Sequence, residues 1–258
     1  KNQLFACAPH SFPPRGGRPT QMGCGGSKEK LDRLAAACAK GDKALVSSLL
    51  LVSSVDVNGV DKEGMPCLAL AVMTGDVELV DMLLKTENID PNKADGAGRG
   101  PLDYAARAGN VEMAKVLLTH EKIAVNQKNN GGGAALHVGA QQGFPEIVSL
   151  LLSRPETDVN ITTNDGASAL FIASERGKKE AVTLLLANDR VNVNLAMPWK
   201  LQGATVEATP LFAATFQEEM EVVALLMAHP NVEVPRYSQV GRVKEDTENK
   251  EELMEMSI

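Results

Sequence analysis

Few side chains in this sequence stand in patterns that do chemistry. His120-Glu121 opens like the H-E-x-x-H helix of zinc peptidases, but Ala124 occupies the place of the second histidine, so the ligand pair is incomplete. Gly96-x-Gly98-x-Gly100 and Gly131-Gly132-Gly133 have the composition of phosphate-cradling loops. Neither follows a strand or leads into the Lys-Ser/Thr of a P-loop, so both read as turn glycines. His10, His120, His137 and His229 form no Ser/His/Asp constellation. Cys7, Cys24, Cys38 and Cys67 have neither zinc spacing nor the layout of a disulfide framework. Cys38 and Cys67 fall on helix-forming segments and are expected to be small buried hydrophobes. The sequon Asn160-Ile161-Thr162 stays unused in a reducing cytoplasm. No catalytic residue, metal or cofactor is expected, and the chain reads as a non-enzyme.

One short stretch carries a modification chemistry. Met22-Gly23-Cys24-Gly25-Gly26-Ser27 fits M-G-x-x-x-S, the N-myristoylation pattern, with a palmitoylation candidate beside the acylated glycine. The reaction needs a free amine on Gly23, hence synthesis starting at Met22. One myristoyl chain binds a membrane only marginally and two anchor it stably, so Cys24 matters as much as Gly23. Residues 1–30 are rich in Pro, Gly and Arg, carry five basic residues against one acidic, and read as a disordered leader. Residues 1–21 lack the apolar stretch of a signal peptide.

The elements around these residues are repeated. Gly98 to Leu118 reads as two short helices split by Gly109, with Pro101 in the first turn of the first helix. Gly41, Gly75, Gly109, Gly143 and Gly177 recur every 34 residues, as do Asn58, Asn92, Asn126, Asn160 and Asn194, and Leu34, Leu68, Leu102, Leu136 and Leu170. The predicted units are 31–58, 59–92, 93–126, 127–160, 161–194 and 195–234, the last displaced by seven extra residues within Met197 to Val206. Such a period predicts an all-α solenoid of about six helix pairs linked by short β-hairpins or turns, each burying its apolar face on its neighbours. An acidic tail, 235–258, follows. The aromatic content of 3% suits cores of Ala, Val and Leu, and the net charge of −7 argues against nucleic acid as a partner.

The units resemble ankyrin repeats. The family's T-P-L-H-x-A-A is matched by MPCLALAV (65–72), GPLDYAA (100–106), AALHVGA (134–140), SALFIAS (168–174) and TPLFAAT (209–215). Its outer helix is matched by VELVDMLL (77–84), VEMAKVLL (111–118), PEIVSLLL (145–152) and KEAVTLLL (179–186). Only Thr209-Pro210 keeps Thr-Pro and only His137 keeps the histidine, so the side-chain bonds those residues make between units should be fewer. Glu218 stands at the glycine position of the sixth unit. The resemblance implies a monomeric scaffold that binds a protein along its concave side. The residues it points to are Lys62, Glu63, Met65, Arg99, Asn130, Asn164 and Asp165 at the tips. At the ends of the first helices it points to Met73, Arg107, Gln141, Gln142, Glu175, Arg176 and Phe216. Trp199, on the lengthened hairpin, is either an exposed hot spot or a packed cap. The expected location is the cytoplasm, at the cytoplasmic face of a membrane if Gly23 and Cys24 are acylated. Because the sequence opens on Lys1, a second reading stays open, in which the chain is the regulatory region of a longer enzyme or channel.

Overall fold

The computed structural model describes residues 27–51, 55–201 and 204–234. Six helix pairs follow one another: α1 (Ser27–Lys40) and α2 (Lys43–Leu50), α3 (Cys67–Thr74) and α4 (Val77–Leu84), α5 (Pro101–Ala108) and α6 (Val111–Thr119), α7 (Ala135–Gln142) and α8 (Pro145–Leu152), α9 (Ala169–Glu175) and α10 (Lys179–Leu186), and α11 (Pro210–Phe216) and α12 (Met220–Met227). The first helix of each pair packs on the first helices of adjacent units, and α4, α6, α8, α10 and α12 form a second layer behind them. Nearly all these helices are too short to persist alone. They stand because each buries its Leu, Ala and Val face against the next, in one continuous core running from Leu34 to Leu226.

The first helix starts at Ser27, four residues before the expected boundary, so 27–30 belong to the solenoid and not to a leader. Asp42, Asp76 and Asn110 open the second helices of the first three units, each side chain accepting from a backbone N–H three residues on. Arg154 and Arg190 donate to carbonyls at the ends of the preceding unit's second helix and its exit turn, where cations complement the helix dipole. The expected hairpins are mostly turns, with isolated bridges at Val60–Pro66 and Thr162–Ser168. The lengthened sixth unit is different: β1 (Met197–Leu201) and β2 (Ala204–Ala208) pair antiparallel, with Trp199 opposite Val206.

The asparagine series forms a spine of hydrogen bonds between successive units. Asn58 donates its Nδ2 to the Asn88 carbonyl at 2.7 Å and accepts the Asp90 N–H at 2.7 Å. Asn92 does the same with Lys122 and Ala124, Asn126 with Glu156 and Asp158, and Asn160 with Arg190 and Asn192. Asn194 completes the series with Asn231 and Glu233. Each side chain thus ties two backbone groups of the next unit.

The glycine series closes the first helices at positive φ, and in the sixth unit Glu218 takes φ 62° in the same place. A side chain in that region costs about 1 kcal/mol more than glycine. Glu218 is exposed and has nothing to lose in packing. Glu218→Gly is therefore expected to raise the melting temperature by roughly 2–4 °C, the shift that about 1 kcal/mol gives in a domain of this size. Thermal denaturation followed by circular dichroism checks it, and an unchanged or lower value refutes it.

Candidate protein-interaction surface

The tips are built by the residues at 61, 95, 129 and 163, which also keep the 34-residue step. Asp61 Oδ1 accepts the N–H groups of Glu63 and Met65, Asp95 those of Ala97 and Arg99, and Asn129 those of Gly131 and Gly133. In the fifth unit the Thr163 hydroxyl accepts from Ala167. These turns hold Lys62, Glu63 and Asp165 out in solvent. Asn130 and Asn164 are exposed too, but their polar groups join one tip to the next. Asn130 donates its N–H to the Ala97 carbonyl and its Nδ2 to Gly96, while Asn164 donates likewise to Gly131 and Asn130.

Arg99 folds back onto its own unit. It pairs with Asp95 at 2.7 Å and its guanidinium lies 5.2 Å from the Tyr104 ring centre. Tyr104 donates to Asp95 at 2.7 Å and its hydroxyl also reaches the Met65 sulfur, which leaves Met65 half-buried. Burial works to raise the Asp95 carboxyl, but the bonds from Tyr104 and Arg99 outweigh it and hold it below the ordinary carboxylate range. Neither Asp95 nor Tyr104 was signalled by the sequence pattern, because an Asp in a turn and a Tyr on a helix are ordinary there.

Met73, Arg107, Gln141 and Glu175 stand one period apart and form a row at the ends of α3, α5, α7 and α9, which Phe216 continues on α11. Met73 is 61% exposed and Phe216 38%, while Gln141 and Glu175 are half-buried. Arg107, Gln142 and Arg176 are exposed, and Arg176 lies 3.7 Å from the Glu175 carboxylate.

At the far end of this row the lengthened hairpin folds inward. Trp199 is half-buried with its ring 5.7 Å from Phe171 and 5.9 Å from Phe216, and Phe212 stacks on Phe216 at 6.0 Å. Phe171 and Phe212 occupy the helix position that His137 holds in the fourth unit, and beside Ala167, Ala208 and Ala213 they make a small core separate from the main one. Trp199 therefore packs on one side and meets solvent on the other, combining the two sequence-based alternatives. Its emission is expected at an intermediate wavelength, blue-shifting further when the remaining face is covered. A fully red-shifted spectrum of the folded protein would refute this packing.

Two described residues hold buried polar atoms without a partner, Asp103 and Ser174. Asp103 also sits where His137 does in its own unit. His137 accepts the Ala134 N–H on Nδ1 and bonds the Ala167 carbonyl of the next unit through Nε2. Burial lowers the His137 pKa, keeping it neutral. Asp103 lies beside a cavity of about 10 Å³, lined also by Gly100, Gln127 and Ala135, which has room for no ligand larger than a water. Burial pushes its carboxyl up to about 7 against the opposing pull of Arg107 and of bonds from Asn129 and Gly100.

Among the described residues no cluster of three His, Cys, Asp or Glu side chains could hold a metal, and no helix is long and apolar enough to cross a membrane. Gly23 and Cys24 lie outside the described residues.

The family profile for ankyrin repeats in three copies matches residues 34–130 and again 136–236. The chain belongs to the ankyrin-repeat family. Solved ankyrin structures similar to it include the ankyrin repeat domain of Bcl-3, a member of the IkappaB protein family, at a TM-score of 0.68 and 24% identity over 77% of this chain and 86% of that one. The ankyrin repeat protein EF0377 aligns at 0.67 and 25% identity over 77% and 98%. An ankyrin repeat domain from Acinetobacter baumannii AYE, ABAYE2397, aligns at 0.64 and 28% identity over 75% and 95%. No curated protein matches the chain. Ankyrin repeats generally mediate protein–protein interaction and are typically not enzymes.

Proposed function

We propose that this ankyrin solenoid is a non-catalytic scaffold or adaptor whose partner is a protein, bound along the row from Met73 to Phe216 and the tips beside it. The observation that carries the reading is the aromatic end of that row. Trp199 and Phe216 pack with Phe171 and Phe212, yet keep part of their surface in solvent. Aromatic side chains that are already ordered lose little entropy on binding, which is why they recur as interface anchors. The polar remainder of the row, Arg107, Gln141, Gln142, Glu175 and Arg176, mixes signs and suits a peptide surface better than a polyanion. Lys62, Glu63 and Asp165 supply an outer rim. Arg99, Met65, Asn130 and Asn164 set the shape of the tips while offering their remaining edges.

The test places a photocrosslinking residue at Gln141 on the inner row or at Lys115 on the outer helix layer, in the chain expressed in its own cells. A discrete crosslinked protein from position 141, lost when Trp199 and Phe216 are both changed to Ala, supports the reading. Equal crosslinking from both positions, or none from 141, defeats it.

Membrane tethering forms part of the same proposal. Four positions separate Gly23 from Ser27, the first residue of α1, so lipid on Gly23 and Cys24 would hold the first unit against the bilayer. Metabolic labelling with an alkyne myristate analogue checks this. Label on the wild type and none on the Gly23→Ala variant supports the tether, and absence of label on both removes it without touching the scaffold reading.

A further inference from the structure

The lengthened hairpin stands last in the line of tips, and its two edges differ. Earlier tips are joined through their backbones: the Asn130 N–H donates to Ala97 and the Asn164 N–H to Gly131, both at 3.0 Å. One period further on the residue is Pro198, which has no N–H with which to continue that ladder. β1 nevertheless lies against the fifth tip, where a Cβ on Gly166 would stand 3.3 Å from the Met197 Cβ. This edge is covered and lacks a donor. With β1 on that side, the other edge of the two-stranded sheet, that of β2, is turned away from the fifth unit.

Pro198 also fixes which backbone groups of β2 point outward. Opposed residues of an antiparallel pair alternate between hydrogen-bonded and non-hydrogen-bonded. Proline cannot donate, so Pro198 and Glu207 form a non-hydrogen-bonded pair, and Lys200 and Thr205 form the next one of that kind. The backbones of Trp199 and Val206 therefore bond within the hairpin. The N–H and C=O groups of Thr205 and Glu207 point away from it, and among the described residues no other backbone group bonds to them. Such a row is a template for one more strand.

The faces of the hairpin differ as sharply. Met197, Trp199 and Val206 are half-buried and Ala208 is buried, while Pro198, Lys200, Thr205 and Glu207 are exposed. The inner face is apolar and reaches Phe171 and Phe216 through the Trp199 ring. The outer face is polar.

We propose that β2 is a strand-addition site, at which the protein partner contributes an extended segment that pairs antiparallel with Ala204–Ala208 and exchanges backbone bonds with Thr205 and Glu207. The inference rests on the scaffold reading above and gives the form its partner takes at the aromatic end. The alternation of the hairpin states the chemistry of that segment. Its residue opposite Val206 falls on the inner face with Trp199 and is apolar. Its residues opposite Thr205 and Glu207 fall on the outer face, and the one facing Glu207 is basic, because opposite charges on facing strands attract.

The test titrates the full chain with a short synthetic peptide alternating lysine and valine. At saturation the Thr205 and Glu207 amides should exchange with solvent about tenfold more slowly, and Trp199 emission should move to the blue. In the paired strand the lysine N–H groups point at β2 and the valine N–H groups point away. Methylating the lysine backbone nitrogens should therefore weaken binding by about tenfold or more, while methylating those of the valines should leave it within about threefold. In the chain, Thr205→Pro with Glu207→Pro should lose binding, and Thr205→Ala with Glu207→Ala should keep it. The methylated peptides leave the protein untouched, so they decide the matter even if the proline variant loses its hairpin. Equal binding of the two methylated peptides would overturn the proposal, as would unprotected amides at Thr205 and Glu207. A Gln141 crosslink in cells that survives the double proline change would also overturn strand addition and leave the scaffold reading standing. Failure of the scaffold reading shows differently, as no crosslink from position 141 in the otherwise unchanged chain.

Discussion

Asp103→Asn is expected to raise the melting temperature at pH 8 and to lower it by a few degrees at pH 5. The side chain is 5% exposed and one carboxylate oxygen has no partner. Burial puts its folded pKa at about 7, above the ordinary 3.8. Between those two values the folded chain holds a proton that the unfolded chain has released. Stability contributed by Asp103 is therefore complete below the unfolded pKa and drains away as pH rises through 7. A shift of this size corresponds to roughly 4 kcal/mol at most. The amide cannot ionise, but it leaves one end imperfectly paired, so the net gain at pH 8 should be about 1–2 kcal/mol. In a domain of this length that is roughly 2–8 °C. His137, with its pKa lowered by burial, carries the opposite sign: its stability is present above its ordinary pKa and is lost as pH falls below that. In the Asp103→Asn variant only this second slope remains, so the stability curve should rise towards neutral pH and then stay flat. Melting curves from pH 5 to 8 decide the matter. A variant that stays below the wild type at pH 8 would mean that the Asp103 carboxylate is favourably placed.

Gly132→Ala should cost about 3 kcal/mol or more, while Gly64→Ala should cost only about 1. The two glycines occupy equivalent tips at nearly the same backbone angle, φ 78° and 79°. A Cβ on Gly64 would meet nothing within 4 Å, so that substitution feels the backbone strain alone. A Cβ on Gly132 would come within 2.4 Å of the Asn164 backbone nitrogen and 2.8 Å of the Thr163 carbonyl carbon. Backbone atoms cannot swing aside as a lysine end can. The tip of the fifth unit must move away, breaking the bond from Asn164 to Gly131. The difference between the two variants, measured by urea denaturation, isolates what the stacking of adjacent tips contributes. Equal losses would show that the tips are independent.

The periodic residues carried most of this architecture into view. The leucine, glycine and asparagine series located the first five helix pairs, and Thr209-Pro210-Leu211 the displaced sixth, because a solenoid repeats its packing and so repeats its sequence. The spine made by the asparagines was visible as a series but not as bonds, since spacing alone does not say which carbonyl an amide reaches. The start of α1 at Ser27 was hidden by the glycines just before it, which read as leader. The proposed interaction surface was legible only by position. Sequence placed Trp199 on an enlarged loop, but its contacts with Phe171 and Phe216 depend on how that loop bends across two units. Tyr104, Asp95 and Asp103 were invisible for a related reason: their roles come from burial against neighbouring units, and no local pattern encodes that.

The last asparagine of the spine has a consequence for how such a chain can change. Asn160 reaches 30 residues ahead to a carbonyl and 32 to an N–H. Asn194 reaches 37 and 39, seven further in both, with bonds of 2.7 and 2.8 Å. The added residues are absorbed wholly by the hairpin and leave the pitch of the stack as it was. The tip thus behaves as an open port in a fixed frame. Length and composition there can drift, or be engineered, without retuning the supports on either side, and new specificity can be acquired one loop at a time.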